Sequence, residues 1–136
     1  MPPKVMLERI DRWHERTAMA DLCIRLVQSI GRDYFPGSRT CDAFEMLVIL
    51  NAMFEIHTAG RFATANALAR STGISRSTVQ RRMGELTKLG AIERNGTRFL
   101  LSVSYLNKPG ILQGFKRRVD VVKGAPKKLD WTSRLT

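Results

Sequence analysis

Apolar residues recur at helical spacing in the middle of the chain, and the positions between them are polar or basic. With about 3.6 residues per turn, a helix from Ser75 to Leu89 would carry Val79, Met83 and Leu86 on one side and Leu89 at the margin. The opposite side would carry Ser77, Gln80, Arg81, Gly84 and Lys88. The pattern predicts an amphipathic helix with one face in a core and the other exposed.

A turn and a cap precede this helix. The segment from Thr64 to Ser71 has helical character, and Gly73 follows it with the conformational freedom that a left-handed turn requires. Ser75 then stands where a hydroxyl can accept from the unpaired N–H groups of a new helix. Helix, glycine turn and second helix form a helix-turn-helix, so DNA binding is the leading hypothesis.

The exposed side of the second helix carries residue types that suit a DNA duplex. Arg81 could donate bidentately to guanine, Gln80 could pair with adenine, and Ser77 could reach a base edge or a phosphate. Arg76 and Thr78 lie in the first turn, where N–H groups and side chains commonly hold phosphate. The alternative is the solvated polar face of an ordinary surface helix.

A β-hairpin is predicted directly after the helix. Ala91–Arg94 and Thr97–Val103 read as strands separated by Asn95-Gly96, the preferred dipeptide of a two-residue turn in which both positions have positive φ. The order matches a winged helix, and Arg94 and Arg98 could contact phosphates or a minor groove. Alternatively, these arginines only keep a strand edge soluble.

The positive charge of the chain is concentrated in two regions. Residues 61–98 and residues 107–136 each hold eight Lys/Arg against two Asp/Glu, whereas residues 1–60 hold seven against eight. Such a local field attracts polyanions, while a scattered charge would only promote solubility. Neither region contains a basic amphipathic helix of the kind that lies on membranes.

Another helix is predicted ahead of the helix-turn-helix, as the first of a three-helix core. It would begin at Asp42, with Glu45 completing a capping box, and end near His57, which the helix dipole favours there. Its apolar residues cover more than one stripe and predict burial against several neighbours. They are Phe44, Leu47, Val48, Leu50, Met53, Phe54 and Ile56.

A long N-terminal helix, from about Val5 to Ile30, carries a heptad stripe with one polar interruption at Thr17. The stripe consists of Met6, Ile10, Trp13, Thr17, Ala20, Ile24 and Val27. We expect this face to meet a second copy, while Leu22, Leu26 and Ile30 rest on the same subunit. A homodimer would supply two half-sites for DNA. The alternative is a helix that packs wholly on its own domain.

Residues 67–94, ALARSTGISRSTVQRRMGELTKLGAIER, resemble the core of the MarR family of winged-helix transcriptional regulators, and the resemblance extends from Asp42 to about Ser104. It implies that the helix from Ser75 enters the major groove, and that Arg98 is the contact of the wing. The resemblance and the residue pattern together predict these DNA contacts: Ser75, Arg76, Ser77, Thr78, Gln80, Arg81, Lys88, Arg94 and Arg98.

The chain differs from MarR-like proteins in two ways. Their wings are usually longer than a two-residue turn, and their chains normally end in long dimerising helices. Here the tail offers only a short helix, Ile111 to Val119, followed by KGAPKK at residues 123–128, which indicates a mobile basic arm. We therefore expect a dimerising segment 1–38, a mainly α winged helix-turn-helix domain 39–106 and a basic extension 107–136.

Other classes of function find little support. Cys23 and Cys41 lack the spacing of a zinc site or disulfide framework, His14 and His57 are isolated, and no motif of a hydrolase, protease or nucleotide-binding enzyme occurs. We expect no cofactor, no metal and no catalysis. The N-terminus reads as neither a signal peptide nor a membrane span, which favours a cytoplasmic protein.

We thus expect a dimeric regulator that binds double-stranded DNA. One alternative is a winged-helix module that binds RNA or a protein partner in a larger assembly. The other is a replication or partition factor with the same DNA chemistry.

Overall fold

The computed structural model describes the backbone of residues 2–133 and the side chains of residues 2–126. Two compact units divide the chain: one combines the N-terminal segment through Ser29 with the segment from Gln113 onward, and the other is Ile30–Leu112. The secondary-structure elements are α1 Pro3–Glu8, α2 Trp13–Tyr34, α3 Thr40–Thr58, α4 Ala65–Thr72, α5 Arg76–Leu89, β1 Ile92–Asn95, β2 Arg98–Leu101, α6 Val103–Leu106 and α7 Pro109–Ser133.

The second unit is a winged helix, as the sequence predicts. Thr64 caps α4 by accepting from the N–H of Ala67, Gly73 follows that helix with φ +75°, and Ser75 caps α5 by accepting from the N–H of Thr78. Because Gly73 adopts the left-handed conformation at no steric cost, α4 can end there and α5 can start in a new direction.

Apolar side chains from all parts of this unit meet in one core. The largest fully buried ones are Ile49, Met53, Leu68, Val79, Met83, Leu86 and Ile92. Each contributes about 1.5–3 kcal/mol through the apolar surface it removes from water. The predicted inner stripe of α5 is therefore confirmed, and Leu89 remains 38% exposed at its margin.

The hairpin forms where it was predicted, but its turn lies one residue later. Asn95 pairs with Arg98, so the two-residue loop is Gly96–Thr97 rather than Asn95-Gly96. Only Gly96 has a positive φ, +65°. The predicted turn with two positive φ values is therefore wrong, and the loop has glycine at its first position, as type II′ turns do.

The predicted capping box of α3 does not form. The helix begins at Thr40 after Arg39, which makes no side-chain cap, so Asp42 lies inside the first turn. The carboxylates of Asp42 and Glu45 instead accept from a distant arginine, Arg82.

Arg82 occupies a position in the buried stripe of α5 and is the charged group that joins this helix to α3. Its Nη2 atom donates to Asp42 Oδ1 and to Glu45 Oε1, each at 2.7 Å, and its Nη1 atom donates to Glu85 Oε1 at 3.1 Å. Hydrogen bonding to Glu45 is the largest cause that raises the pKa of Arg82 above its ordinary value, against the opposing effect of burial. The side chain thus remains charged at every accessible pH, and its carboxylate partners satisfy it.

His57 has a structural role that its helix position did not predict. The N–H of Leu101 donates to Nε2 at 3.2 Å, so Nε2 is the unprotonated nitrogen, and Nδ1 donates to the carbonyl oxygen of Arg61 at 2.9 Å. Through its two nitrogens the ring joins the end of α3 to β2, a role that the helix dipole alone does not predict.

The first unit begins with two helices instead of the predicted single helix from Val5 to Ile30. That prediction is wrong, because α1 ends at Glu8 and Arg12 adopts φ +56° before α2 starts at Trp13. None of the residues of α1 is buried, so no packing favours a continuous helix across the charged segment. Arg12 pairs with Glu15 in the first turn of α2.

The tail also differs from the prediction: a mobile arm was expected, and α7 instead continues to Ser133. This helix starts with Pro109, whose fixed φ suits a first helical position, and it includes Pro126. Contact with α2 explains the helix, because Leu22 and Val121 line one small cavity of about 220 Å³ and Arg118 donates to Ser29 Oγ at 3.5 Å. Of the helices described, none is both long enough and apolar enough to cross a membrane.

Tyr105 of α6 is buried near a second tyrosine. Its ring centroid lies 6.1 Å from that of Tyr34, and the Nζ atom of Lys108 lies 5.0 Å from it. Burial, with Tyr34 as a smaller contribution, raises the pKa of the Tyr105 hydroxyl above its ordinary value. The fold therefore disfavours the phenolate.

We predict that Arg82→Ala lowers the free energy of unfolding by about 3 kcal/mol, because three carboxylates lose their shared cation. Arg81→Ala is the matched control: this neighbouring arginine is exposed, and its loss should change stability by less than about 0.5 kcal/mol. Urea denaturation of both variants measures the difference. Equal losses would contradict the role of Arg82.

We also predict alkaline destabilisation through Tyr105. Because its folded pKa is raised, its contribution is fully present below the unfolded value of about 10 and is lost as the pH rises through the folded value. Between about pH 9 and about pH 11, wild type should lose more unfolding free energy than Tyr105→Phe, which has no hydroxyl to ionise. Identical losses in the two proteins would refute this assignment.

Candidate nucleic-acid interface

The face of α5 opposite the core is uncovered within the second unit. Ser77, Arg81, Gly84 and Lys88 point away from the buried stripe, and all four are exposed. Arg76, Gln80 and Thr87 lie beside this face, on the side of the hairpin, and are exposed as well. The helix therefore presents three cations without any apolar cover.

The hydroxyl groups at the start of α5 bond mainly to one another. Ser75 Oγ accepts from the N–H of Thr78 at 3.3 Å and donates to Thr78 Oγ1 at 2.9 Å. Ser77 Oγ lies 3.4 Å from Ser75 Oγ. Ser75 and Thr78 thus shape the helix N-terminus, and Ser77 has the hydroxyl best placed for an outside partner.

The structure separates the two wing arginines. Arg94 pairs with Phe99 across the hairpin, whereas Arg98 pairs with Asn95, so their side chains lie on opposite faces. Arg94 shares its face with the buried Phe99, and its Nε atom donates to the carbonyl oxygen of Gly96 at 2.9 Å. The guanidinium of Arg98 stacks 4.8 Å from the ring centroid of Phe62 on the other face.

Between α5 and the hairpin lies a concavity of about 700 Å³, which we call the wing groove. It is lined by Thr64, Ala65, Asn66, Arg76, Gln80, Met83, Gly84, Thr87, Lys88, Arg94, Thr97 and Phe99. Four predicted contacts meet here, namely Arg76, Gln80, Lys88 and Arg94. The other five, Ser75, Ser77, Thr78, Arg81 and Arg98, are outside its lining.

The wing groove is cationic. Arg76, Lys88 and Arg94 contribute positive charge, and none of the described residues that line the groove is acidic. Glu85, on the flank of α5, pairs with Arg82, and Glu93 lies on the other face of the hairpin from Arg94. The acidic side chains nearest in sequence are therefore directed away from this surface or neutralised.

Sequence reasoning missed four polar residues of this groove: Thr64, Asn66, Thr87 and Thr97. Thr64 carried a signal, because it stands at the N-cap position of α4. The others come together only through the packing of α4, α5 and the hairpin. The Thr87 hydroxyl already donates to the carbonyl oxygen of Met83, and the groups of Thr64, Asn66 and Thr97 add neutral polar atoms between the cations.

The predicted dimerisation residues lie in the first unit and differ in exposure. Met6 and Ile10 are exposed, in α1 and in the break after it, and Ala20 and Ile24 are exposed on α2. Trp13 and Val27 are half-buried. The continuous stripe of the prediction is therefore interrupted before Trp13, and its α2 portion is exposed only from Thr17 to Ile24.

Comparison with known proteins agrees with this geometry. Residues 50–98, from within α3 to the start of β2, match the model of the MarR family, a family of winged helix-turn-helix transcription regulators that are generally not enzymes. The resemblance seen in the sequence is therefore confirmed over this segment. No curated protein and no solved structure matches the chain.

Proposed function

We propose that this chain, whose residues 50–98 match the model of the MarR family, is a homodimeric transcription regulator that binds double-stranded DNA sequence-specifically. The observation that carries the proposal is the exposed face of α5, whose cations no other part of the second unit covers. We propose that α5 enters the major groove and that the hairpin lies along the flanking backbone.

The roles of the α5 side chains follow from their directions. Arg81 points straight out of the helix and is long enough to donate bidentately to a guanine edge, and Gln80 beside it can pair with adenine. Arg76 in the first turn and Lys88 in the last are placed to bind phosphates on either side. Arg81 thus supplies discrimination, and the flanking cations supply affinity.

The exposed apolar residues of the first unit support the homodimer. On α2, Ala20 and Ile24 are exposed at helical spacing, and on α7 the exposed Phe115 and Val122 stand four residues before and three residues after the half-buried Val119. Such a stripe in water is typical of a helix that meets another protein surface. A second copy of the chain satisfies both faces and provides a second α5 for a palindromic site.

Such a regulator acts in the cytoplasm of a prokaryotic cell, where its DNA lies. The second candidate is a replication or partition factor, because the same exposed cations would bind DNA equally well in that role. Binding of RNA is a poorer fit, because a protruding helix matches the wide major groove of B-form DNA and the major groove of A-form RNA is narrow and deep.

We predict that the intact chain binds duplex DNA more tightly than duplex RNA at equal salt, and that log affinity falls linearly with log salt concentration. Fluorescence anisotropy with labelled duplexes checks both. A duplex selected from a random pool then provides the preferred site. RNA binding at least as tight as DNA binding would refute the proposed function.

The same assay tests the role of Arg81. Arg81→Ala should reduce the preference for the selected site over random DNA by about 1–3 kcal/mol, because one base contact is lost. Lys88→Ala is the matched control on the same face, and it should weaken binding to both DNAs alike. A uniform loss from Arg81→Ala would instead make that residue another phosphate contact.

We predict that wild type sediments at twice the chain mass of 15.4 kDa. Ile24→Glu and Phe115→Glu should each shift it toward the monomer, because they bury a charge in the proposed interface. Val103→Glu is the control, since Val103 is 72% exposed in the second unit, outside both stripes. Analytical ultracentrifugation measures the mass of each sedimenting species. A monomeric wild type would refute the dimer proposal.

A further inference from the structure

We propose that the wing groove holds one sugar-phosphate strand of the bound duplex, with Gly84 at the point of closest approach and Arg94 as the wing residue that contacts it. This inference rests on the proposed function. It adds a DNA-contact surface between α5 and the hairpin. It also gives the two wing arginines different roles, with Arg94 contacting DNA and Arg98 holding the hairpin in place.

Groove geometry identifies the occupant. In B-form DNA, each sugar-phosphate strand is the ridge between a major groove, about 12 Å wide, and the adjacent minor groove. If α5 lies in the major groove and the hairpin lies beside it, one strand must pass between these two elements. The concavity of about 700 Å³ between them is open and is far larger than a side chain.

The charge of the groove suits the same occupant. Arg76 and Lys88 stand on the α5 side, and Arg94 stands on the hairpin side, so cations border the groove on both walls. Asn66 and Thr97 add neutral polar groups between them. A phosphodiester strand carries one negative charge per nucleotide and would meet a cation along each wall.

Gly84 provides an independent observation. It lies in the middle of α5 and lines the groove, and a Cβ atom built on it would meet nothing within 4 Å. Among the residues that the structure describes, none packs closely against Gly84, although a glycine inside a helix lowers stability relative to alanine. The open backbone at this point lets an external surface approach the helix axis more closely than any side chain would permit.

The hairpin pairing selects between the two arginines. Arg94 shares a face with Phe99 and lines the groove, whereas Arg98 lies on the other face and stacks on Phe62. Arg98 therefore serves to hold the segment before α4 against the hairpin. Arg94, whose guanidinium carbon lies 5.9 Å from the ring centroid of Phe99, reaches a strand in the groove from the face it already occupies, whereas Arg98 would have to leave Phe62.

Gly84→Gln tests the close approach. Glutamine is a good helix former, so we expect an unchanged or higher thermal midpoint, together with at least about tenfold weaker binding to selected and random duplexes alike. The loss is independent of sequence because the added side chain meets the backbone strand. Gly124→Gln in α7 is the control, since its added Cβ also meets nothing within 4 Å and it lies outside the groove.

The salt dependence tests the arginines. Arg94→Ala should lower the slope of log affinity against log salt by about one, and Arg98→Ala should leave the slope unchanged. The inference is overturned, and the proposed function kept, if wild type binds duplex DNA and Gly84→Gln binds equally well, or if only Arg98→Ala lowers the slope. If wild type binds no duplex, the proposed function and the inference about the wing groove both fail.

Discussion

The commitment of one face of α5 to the core determines the rest of the second unit. Val79, Met83 and Leu86 are almost completely removed from water, and this burial fixes both the position and the rotation of the helix. The opposite face is then exposed, because its side chains point away from the buried stripe and no other element of the second unit covers them. In this chain that exposed face carries arginine, lysine and glutamine, so the same burial that stabilises the domain presents its proposed DNA contacts.

A charge in the buried stripe refines this arrangement. Arg82 lies between the apolar positions of α5 and reaches Asp42 and Glu45 across the interface with α3. A buried ion pair contributes less net stability than its short distances suggest, because both charges lose water. Its directional hydrogen bonds nevertheless favour one register of α5 on α3, and they neutralise Glu85 beside a surface that is proposed to meet phosphate.

The strand pairing of the hairpin gives its two arginines different surroundings. Successive side chains of a strand alternate between its two faces, and directly paired residues of neighbouring strands share a face. Arg94 is paired with Phe99, and this pairing directs Arg94 to the side of α5. Arg98 is thereby left to stack on Phe62. The parity of a two-residue turn alone implies that the two arginines face opposite sides, whether the turn is Asn95-Gly96 or Gly96–Thr97. Which face each arginine occupies is decided by the packing of the hairpin, with Phe62 on one side and the wing groove on the other.

The sequence by itself determined the helix-turn-helix, because Gly73, Ser75 and the spacing of Val79, Met83 and Leu86 act within a few residues of one another. It also determined that a wing follows and where the positive charge lies. The tertiary structure decided the break at Arg12, the partners of Arg82 and His57, the wing groove and the helical course of α7. Arg82 and Asp42 are 40 positions apart, and α7 packs on a helix from the other end of the chain. Local signals cannot encode such contacts, since their free energy is gained only when distant segments have already come together.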